Sequence, residues 1–398
     1  MSVSTVLLGT FTGGPGGGMD EEGPPSESEG LYTVQFDSAS GEFVPGSLSL
    51  RAEVATSPSW VRWHPTLPVL YTNNESFEGD FGSVTAYGVG AGCLLSLRNR
   101  MSSEGTSPCF IGLHPAGTHL AVANYSVEPG SVAVFALDEE GSLAERTDWV
   151  QHQTATEPEI MAARTGRVDP ADPTSVDESV PHAHSCIFDP TGRWLLVCDV
   201  GTDRVTVYAF DQREGTIAKH SEALVTPGGG ARHVAMSEDS QFVYVNEEAG
   251  CRVHAFRWDG DAGSLTPLHP PLDTLPAGEG GEKGHTAECA LGPDGTRLFV
   301  ANRGSHVGRQ CTIATFAVDT ETGSLSALAQ TPVGRHPRHF RVDPSGKWML
   351  CVALHDNKVE VYELDAAGVP QPTGHALECP APTHVLFAPP RLEAGGKL

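Results

Sequence analysis

Basic residues are scarce in this 398-residue chain. It carries 25 Lys and Arg against 50 Asp and Glu, a formal net charge of −25. A field of that sign disfavours nucleic acid and anionic membranes as partners. It would also repel an anionic substrate, unless a local cluster of arginines reversed it. No run of 18 apolar residues exists, which excludes a transmembrane helix. The N-terminal stretch "MSVSTVLLGTFTGG" lacks a basic n-region and a full apolar h-region, so no secretory signal is expected. The nine cysteines form no CxxC and keep no regular spacing, and Cys186, Cys198, Cys289 and Cys351 fall inside apolar runs. Buried free thiols in a reducing, cytoplasmic compartment are the expectation. The terminal Gly-Lys-Leu differs by one residue from the peroxisomal address Ser-Lys-Leu. A chance tail is expected there, with a peroxisome-like organelle as the alternative. Also missing are a GxSxG elbow, a GxxxxGKS/T phosphate loop and a GxGxxG turn between strand and helix. No segment sustains a helical period.

What is present is a repeat. The segments "WHPTLPVLYTNNE", "LHPAGTHLAVANY", "FDPTGRWLLVCDV", "LGPDGTRLFVANR" and "VDPSGKWMLCVAL" share one plan: a polar residue or glycine, proline, a short turn and an apolar strand. "MSEDSQFVYVNEE" fits with Glu238 in the proline slot. The markers Pro65, Pro115, Pro190, Glu238, Pro293 and Pro344 mostly recur about every 50 residues, the period of a β-propeller blade. An alternating strand follows each marker strand, as in "DRVTVYAFD" and "NKVEVYELD". Gly-containing turns such as "ETGSL" then lead to a fourth strand.

The ends complete the count. "TVLLGTFT", "GLYTVQFD" and "FVPGSLSL" supply a second, third and fourth strand at the N-terminus, and "THVLFAPP" an unpaired first strand before Pro389. Together they make a seventh blade. The expected fold is all-β: a single domain over 1–398, a seven-bladed propeller closed by pairing of N- and C-terminal strands. Two segments stand outside the repeat, a Gly/Pro/acid-rich loop at about 13–30 and an insertion at about 151–181 that ends at the histidines of "PHAHS".

The innermost strand of each blade lines the channel. Six residues before each marker stand Ser59, Cys109, His184, Arg232, Ala287, Arg338 and Thr383. Five before stand Trp60, Phe110, Ser185, His233, Glu288, His339 and His384. Ten residues after the markers, at the end of the second strand, stand Glu75, Tyr125, Val200, Glu248, Arg303 and Leu354. The first two strands form a hairpin, so all three rings share one end of the channel. His182 and His184 face the same way if their segment is extended. They join Arg232, His233, Glu248, Glu288, Arg303, Arg338 and His339 at one charged, titratable mouth. A bland reading remains, since inner strands of any propeller border water. His182, His184, His233 and Glu288 include metal-ligating types, but the nearby arginines would repel a cation. Neither a metal nor a cofactor is expected.

The blocks "GTFT", "PHAHSCIFDPTGRWLLVCDVGTDRVTVYAF", "GGGARHVAMSEDSQFVYVNEEAGCRVHAF", "ECALGPDGTRLFVANRG" and "PRHFRVDPSGKWMLCVAL" resemble the lactonase family of seven-bladed propellers. That family includes propeller-type 6-phosphogluconolactonases and carboxy-cis,cis-muconate cyclases. The resemblance covers nearly the whole chain. It implies a site at His184 (with His182 beside it), Arg232, Glu248 and Arg303. It also matches Glu288, Arg338 and His339 to recurring family positions. Glu247 and Glu248 compete for one slot, and the ring count favours Glu248. The chain departs from the family pattern with Ala231 in a usual proline position, with "SEDS" for a Pro-Asp-Gly turn, and with a long loop before the histidines. These departures touch substrate selection.

The resemblance implies a hydrolase acting on a small anionic lactone such as 6-phosphogluconolactone. His184 or Glu248 would serve as base, and Arg232 and Arg303 would hold an anionic group and stabilise developing charge. His182, His233, Glu288, Arg338 and His339 would contact substrate. The alternatives are a muconate-type lactonising cycloisomerase and a non-enzymatic binding platform. Oligomeric state is not legible in the sequence.

Overall fold

The computed structural model describes residues 3–13, 26–52, 56–76, 82–125, 130–157, 160, 180–276, 284–304 and 308–393. Most of the loop at 13–30, most of the insertion at 151–181, and the Gly-Lys-Leu terminus lie outside these residues.

Seven antiparallel sheets form the fold, each a run of four strands laid outward from the channel, with a short fifth strand added in two of them. Numbered along the chain by their inner strands, the blades begin at Val61–Trp63, Pro108–Leu113, Ala183–Phe188, Ala231–Met236, His285–Leu291, Pro337–Val342 and Pro382–Phe387. Each inner strand touches its neighbours, and the ring closes from blade 7 back to blade 1. Blade 7 takes its inner strand from the C-terminus and its second and third strands, Val3–Thr10 and Leu31–Asp37, from the N-terminus. The expected closure is therefore the one observed. Pairing of the two ends leaves no open seam in the ring.

The polar residue ahead of each proline has a local cause. It caps the tight turn between the first two strands. Asp343 Oδ1 accepts from the Lys347 and Trp348 amides, and His64 Nδ1 accepts from those of Thr66 and Leu67. In the variant repeat Ser237 Oγ does the same for Gln241 and Phe242, so the loss of proline at Glu238 leaves the turn intact. Among the described residues helix is limited to single turns such as Pro390–Glu393, and no helix is long and apolar enough to cross a membrane.

The core lies between the sheets. Apolar residues of the inner strands and of the alternating second and third strands meet across neighbouring blades; Tyr71, Ile111, Leu120, Val134, Cys186 and Leu195 form one continuous cluster through blades 1 to 3. The inner strands approach so closely that side-chain volume is limiting. A Cβ on Gly112 would stand 2.2 Å from the Cys186 carbonyl oxygen in the next blade. Backbone cannot yield as a flexible side chain can. Gly112→Ala is therefore expected to cost about 1–3 kcal/mol of stability, read as a lower denaturant midpoint with unchanged slope.

Candidate active site

The inner strands of blades 2 to 6 each meet their partner with a break in register at the mouth end. The breaks fall between Pro108 and Phe110, Ala183 and Ser185, Ala231 and Val234, Thr286 and Cys289, and Pro337 and Phe340. These are β-bulges, which bend a strand and re-aim its side chains. They contain Cys109, His184, Arg232 with His233, Ala287 with Glu288, and Arg338 with His339. The freed backbone groups are met by side chains. Asn246 Oδ1 accepts from the His233 amide, and its Nδ2 donates to the Ala287 carbonyl. Asn73 treats Trp60 and Pro108 in the same way. Ahead of Arg232, Gly228 and Gly230 adopt φ of 74° and 76°, and both amides donate to the Asp203 carboxylate at 2.7 Å. The glycine run thus holds the turn that delivers Arg232.

Arg232 is the central group of the mouth and is only 1% exposed. Its Nη1 donates to His233 Nε2 at 3.1 Å, and its Nε lies 3.4 Å from Glu248 Oε1. Burial pushes the guanidinium down to about 10, with Glu248 opposing that shift. Arg303 donates to the same Glu248 oxygen and to the Thr286 carbonyl. Burial alone would raise the Glu248 carboxyl. Arg303 and then Arg232 outweigh it and bring it down to about 2. Glu248 therefore stays ionised, clamped between two guanidiniums.

His184 sits beside this clamp and is 5% exposed. Its ring lies 5.0 Å from that of His233 and edge-on to Tyr125 at 5.6 Å. Burial, then the charges of Arg232, His233, Arg338 and Arg303, push its imidazole well below the usual 6.5. Its Nδ1 has no hydrogen-bond partner among the described residues. It is a neutral imidazole with a nitrogen to offer.

Across the mouth lies a second carboxylate. Glu75 closes the second strand of blade 1 and is buried. It accepts from Ser59 Oγ and stands 3.8 Å from Arg338 Nη2. Arg338 in turn lies over the Phe11 ring at 4.9 Å. Three arginines against two carboxylates leave a local positive excess in a strongly acidic chain.

Beneath the mouth is a floor of rings. Trp60 stacks on Phe110 at 4.2 Å and meets His384, His339 and His233 edge-on at 4.3, 5.3 and 5.4 Å. Glu288 Oε2 sits 3.1 Å from His233 Nδ1 and 3.4 Å from His339 Nε2. This layer spans the channel beneath the mouth. Among the described residues no three His, Cys, Asp or Glu side chains are arranged to hold a metal ion.

A family model described as lactonase, seven-bladed β-propeller, matches residues 5–387. The chain belongs to this family of lactonases. Among curated relatives, a 6-phosphogluconolactonase of Bacillus subtilis is 25% identical over 340 residues, spanning 85% of this chain and 88% of its own. A 6-phosphogluconolactonase of Formosa agariphila is 25% identical over 341 residues, with 84% and 88% covered. Among solved structures, the periplasmic gluconolactonase of Pseudomonas aeruginosa is similar with a TM-score of 0.82 at 29% identity, covering 98% of this chain and 99% of that one.

In this lactonase His184, Arg232, Glu248, Arg303 and Arg338 come together as expected from the ring count. Four of the nine nominated residues take other places. His182 does not lie alongside His184. The bulge at His184 breaks the alternation that an extended segment would keep, and His182 stacks on Tyr125 at 4.5 Å with its Nδ1 3.0 Å from the Tyr125 carbonyl. His182 thereby backs the tyrosine that borders His184. His233, Glu288 and His339 bond to one another in the floor rather than line the wall. The adjacent glutamates also turn different ways. Glu247 turns the other way, to His254 Nε2 at 2.6 Å and the Thr226 amide, while Glu248 faces the arginines. Sequence reasoning counted Glu75 and Tyr125 in the ring but gave them no role. The ring position of Glu75, shared with Glu248 and Arg303, was the available signal.

Proposed function

We propose that the protein hydrolyses the lactone of a sugar acid at this mouth, with 6-phosphogluconolactone and gluconolactone as the substrates to try first. The observation that carries the reading is the His184 imidazole, with an unpartnered nitrogen, set beside three guanidiniums above a floor of rings. Lactone hydrolysis needs a base for water and stabilisation for the tetrahedral oxyanion. His184 supplies the base. Arg232 and Arg303 face the developing charge, held in place by Glu248, and Arg338 takes an anionic group on the substrate. Glu248 itself is a poor base, because its two arginines hold it ionised. No cofactor enters this chemistry. The nine cysteines, all free and buried, support a reducing, cytoplasmic location.

The test is acid release from both lactones, measured above the spontaneous background. A rate no greater than background on both would overturn the reading. The pH profile adds a second check. A base works unprotonated, and burial beside arginines lowers the pKa of His184. The acid limb of the rate is therefore expected well below pH 6.5, and a limb at or above 6.5 would contradict His184 as the base.

A further inference from the structure

The lactonase reading assigns a base but leaves the departing oxygen unserved. Ring opening expels an alkoxide, a poor leaving group unless a proton reaches it as the bond breaks. The guanidiniums cannot give one at neutral pH. Among the described residues, Glu75 is a further carboxyl of the mouth, on the opposite side of His184 from Glu248. Around the rim, Glu75 of blade 1 and His184 of blade 3 flank Cys109 of blade 2, whose Sγ donates to the His184 carbonyl at 3.2 Å. Glu248 follows His184 in blade 4. The two glutamates hold equivalent positions at the ends of their second strands, on either side of the imidazole.

We propose that Glu75 is the proton donor to the leaving ring oxygen. The geometry fixes its carboxyl firmly. The Glu75 amide donates to the Ser57 carbonyl at 3.1 Å, Ser59 Oγ donates to Oε2, and Oε1 faces Arg338. The environments of the two mouth glutamates also diverge. Burial outweighs Arg338, Ser59 and Arg232 at Glu75 and raises its carboxyl, whereas Glu248 is driven down. Cys109, the other titratable group set against it, is pushed well up by burial and stays a thiol. Two carboxyls driven apart in one site are the usual mark of divided acid and electrostatic roles.

The step balances. Water gives a proton to His184 as its oxygen bonds to the carbonyl carbon. The ring C–O bond then breaks, its electron pair passes to the ring oxygen, and that oxygen takes the Glu75 proton. His184 releases its proton to solvent, and Glu75 recovers one from solvent. One water is consumed and the open hydroxy acid leaves.

The proposal rests on the lactonase reading, and its test separates the two. Wild type, Glu75→Gln, Glu75→Asp and Ser59→Ala are assayed on gluconolactone and on dihydrocoumarin, whose phenolate leaves with little need of a proton. For Glu75→Gln a loss in kcat of ~10²-fold is expected on gluconolactone, with KM little changed, and less than about tenfold on dihydrocoumarin. The fall of kcat on the alkaline side should vanish in the same variant. Glu75→Asp should restore part of the rate. Ser59→Ala removes a donor that favours the ionised form, so its alkaline limb should move to higher pH; this arm also serves if Glu75→Gln fails to fold. Wild type inactive on these two and on 6-phosphogluconolactone defeats the lactonase reading. Active wild type with equal losses on the two lactones, or with an unmoved alkaline limb in Ser59→Ala, defeats the assignment of Glu75 alone.

Discussion

His184→Ala is expected to lower kcat for lactone hydrolysis by about 10²- to 10⁴-fold, or roughly 3 to 5 kcal/mol of barrier. KM should change little. Arg338, which takes the anionic group, stands against Glu75 and Phe11, and Arg232 and Arg303 are bonded to Glu248, Thr286 and His233; none of these contacts involves the His184 ring. The fold should survive, because the bulge is set by backbone pairing and by the Cys109 thiol on the His184 carbonyl. The check is steady-state kinetics with a thermal melt of the same sample. A variant that melts like wild type and retains kcat within about threefold would remove His184 from the base role, since a positioned base accounts for far more than that.

The second large effect is on stability as well as rate. Glu248→Ala leaves Arg232 and Arg303 buried near each other with their shared carboxylate gone. Breaking a buried ion pair by removing one partner typically costs about 3–5 kcal/mol. Chemical denaturation should show a loss of that order, together with activity near background because the guanidiniums repel each other out of position. Glu248→Gln keeps the shape and a hydrogen-bond acceptor, so its loss should be smaller. The wild type carries the same information in its pH dependence. The folded carboxyl lies at about 2, below its ordinary 4.5. A lowered pKa contributes stability that is present above 4.5 and is lost as pH falls toward 2. That window should steepen the acid denaturation of wild type by an amount on the order of 3 kcal/mol. Glu248→Gln should lack it, and an identical acid transition in the two proteins would overturn the clamp.

The fold was legible because its signal is local and repeated. A turn-capping residue, a proline and an alternating strand recur every blade, each set by contacts within a few residues. The leftover strands at the two ends identified the closure. Even the level of the mouth could be counted, since hairpin geometry ties the start of one strand to the end of the next. The ring count correctly gathered His184, Arg232, Glu248, Arg303 and Arg338.

Counting failed where direction mattered. Alternation along a strand set His182 beside His184, and a bulge undid it. It could not distinguish wall from floor for His233, Glu288 and His339, which lie one residue apart or less from wall positions in the count. It gave no role to Glu75, whose surroundings are set by Ser59, Arg338 and Arg232.

By itself the sequence determined the number of blades, the seam that joins its ends, and the rim on which the charged residues gather. Those follow from periodicity and from the reach of a hairpin. Only the tertiary structure decided which side chains turn into the mouth and which carboxylates are ionised there. The reason is physical: a bulge is a departure from the repeat, and a pKa is set by charges that blades some 50 residues apart bring within a few ångströms.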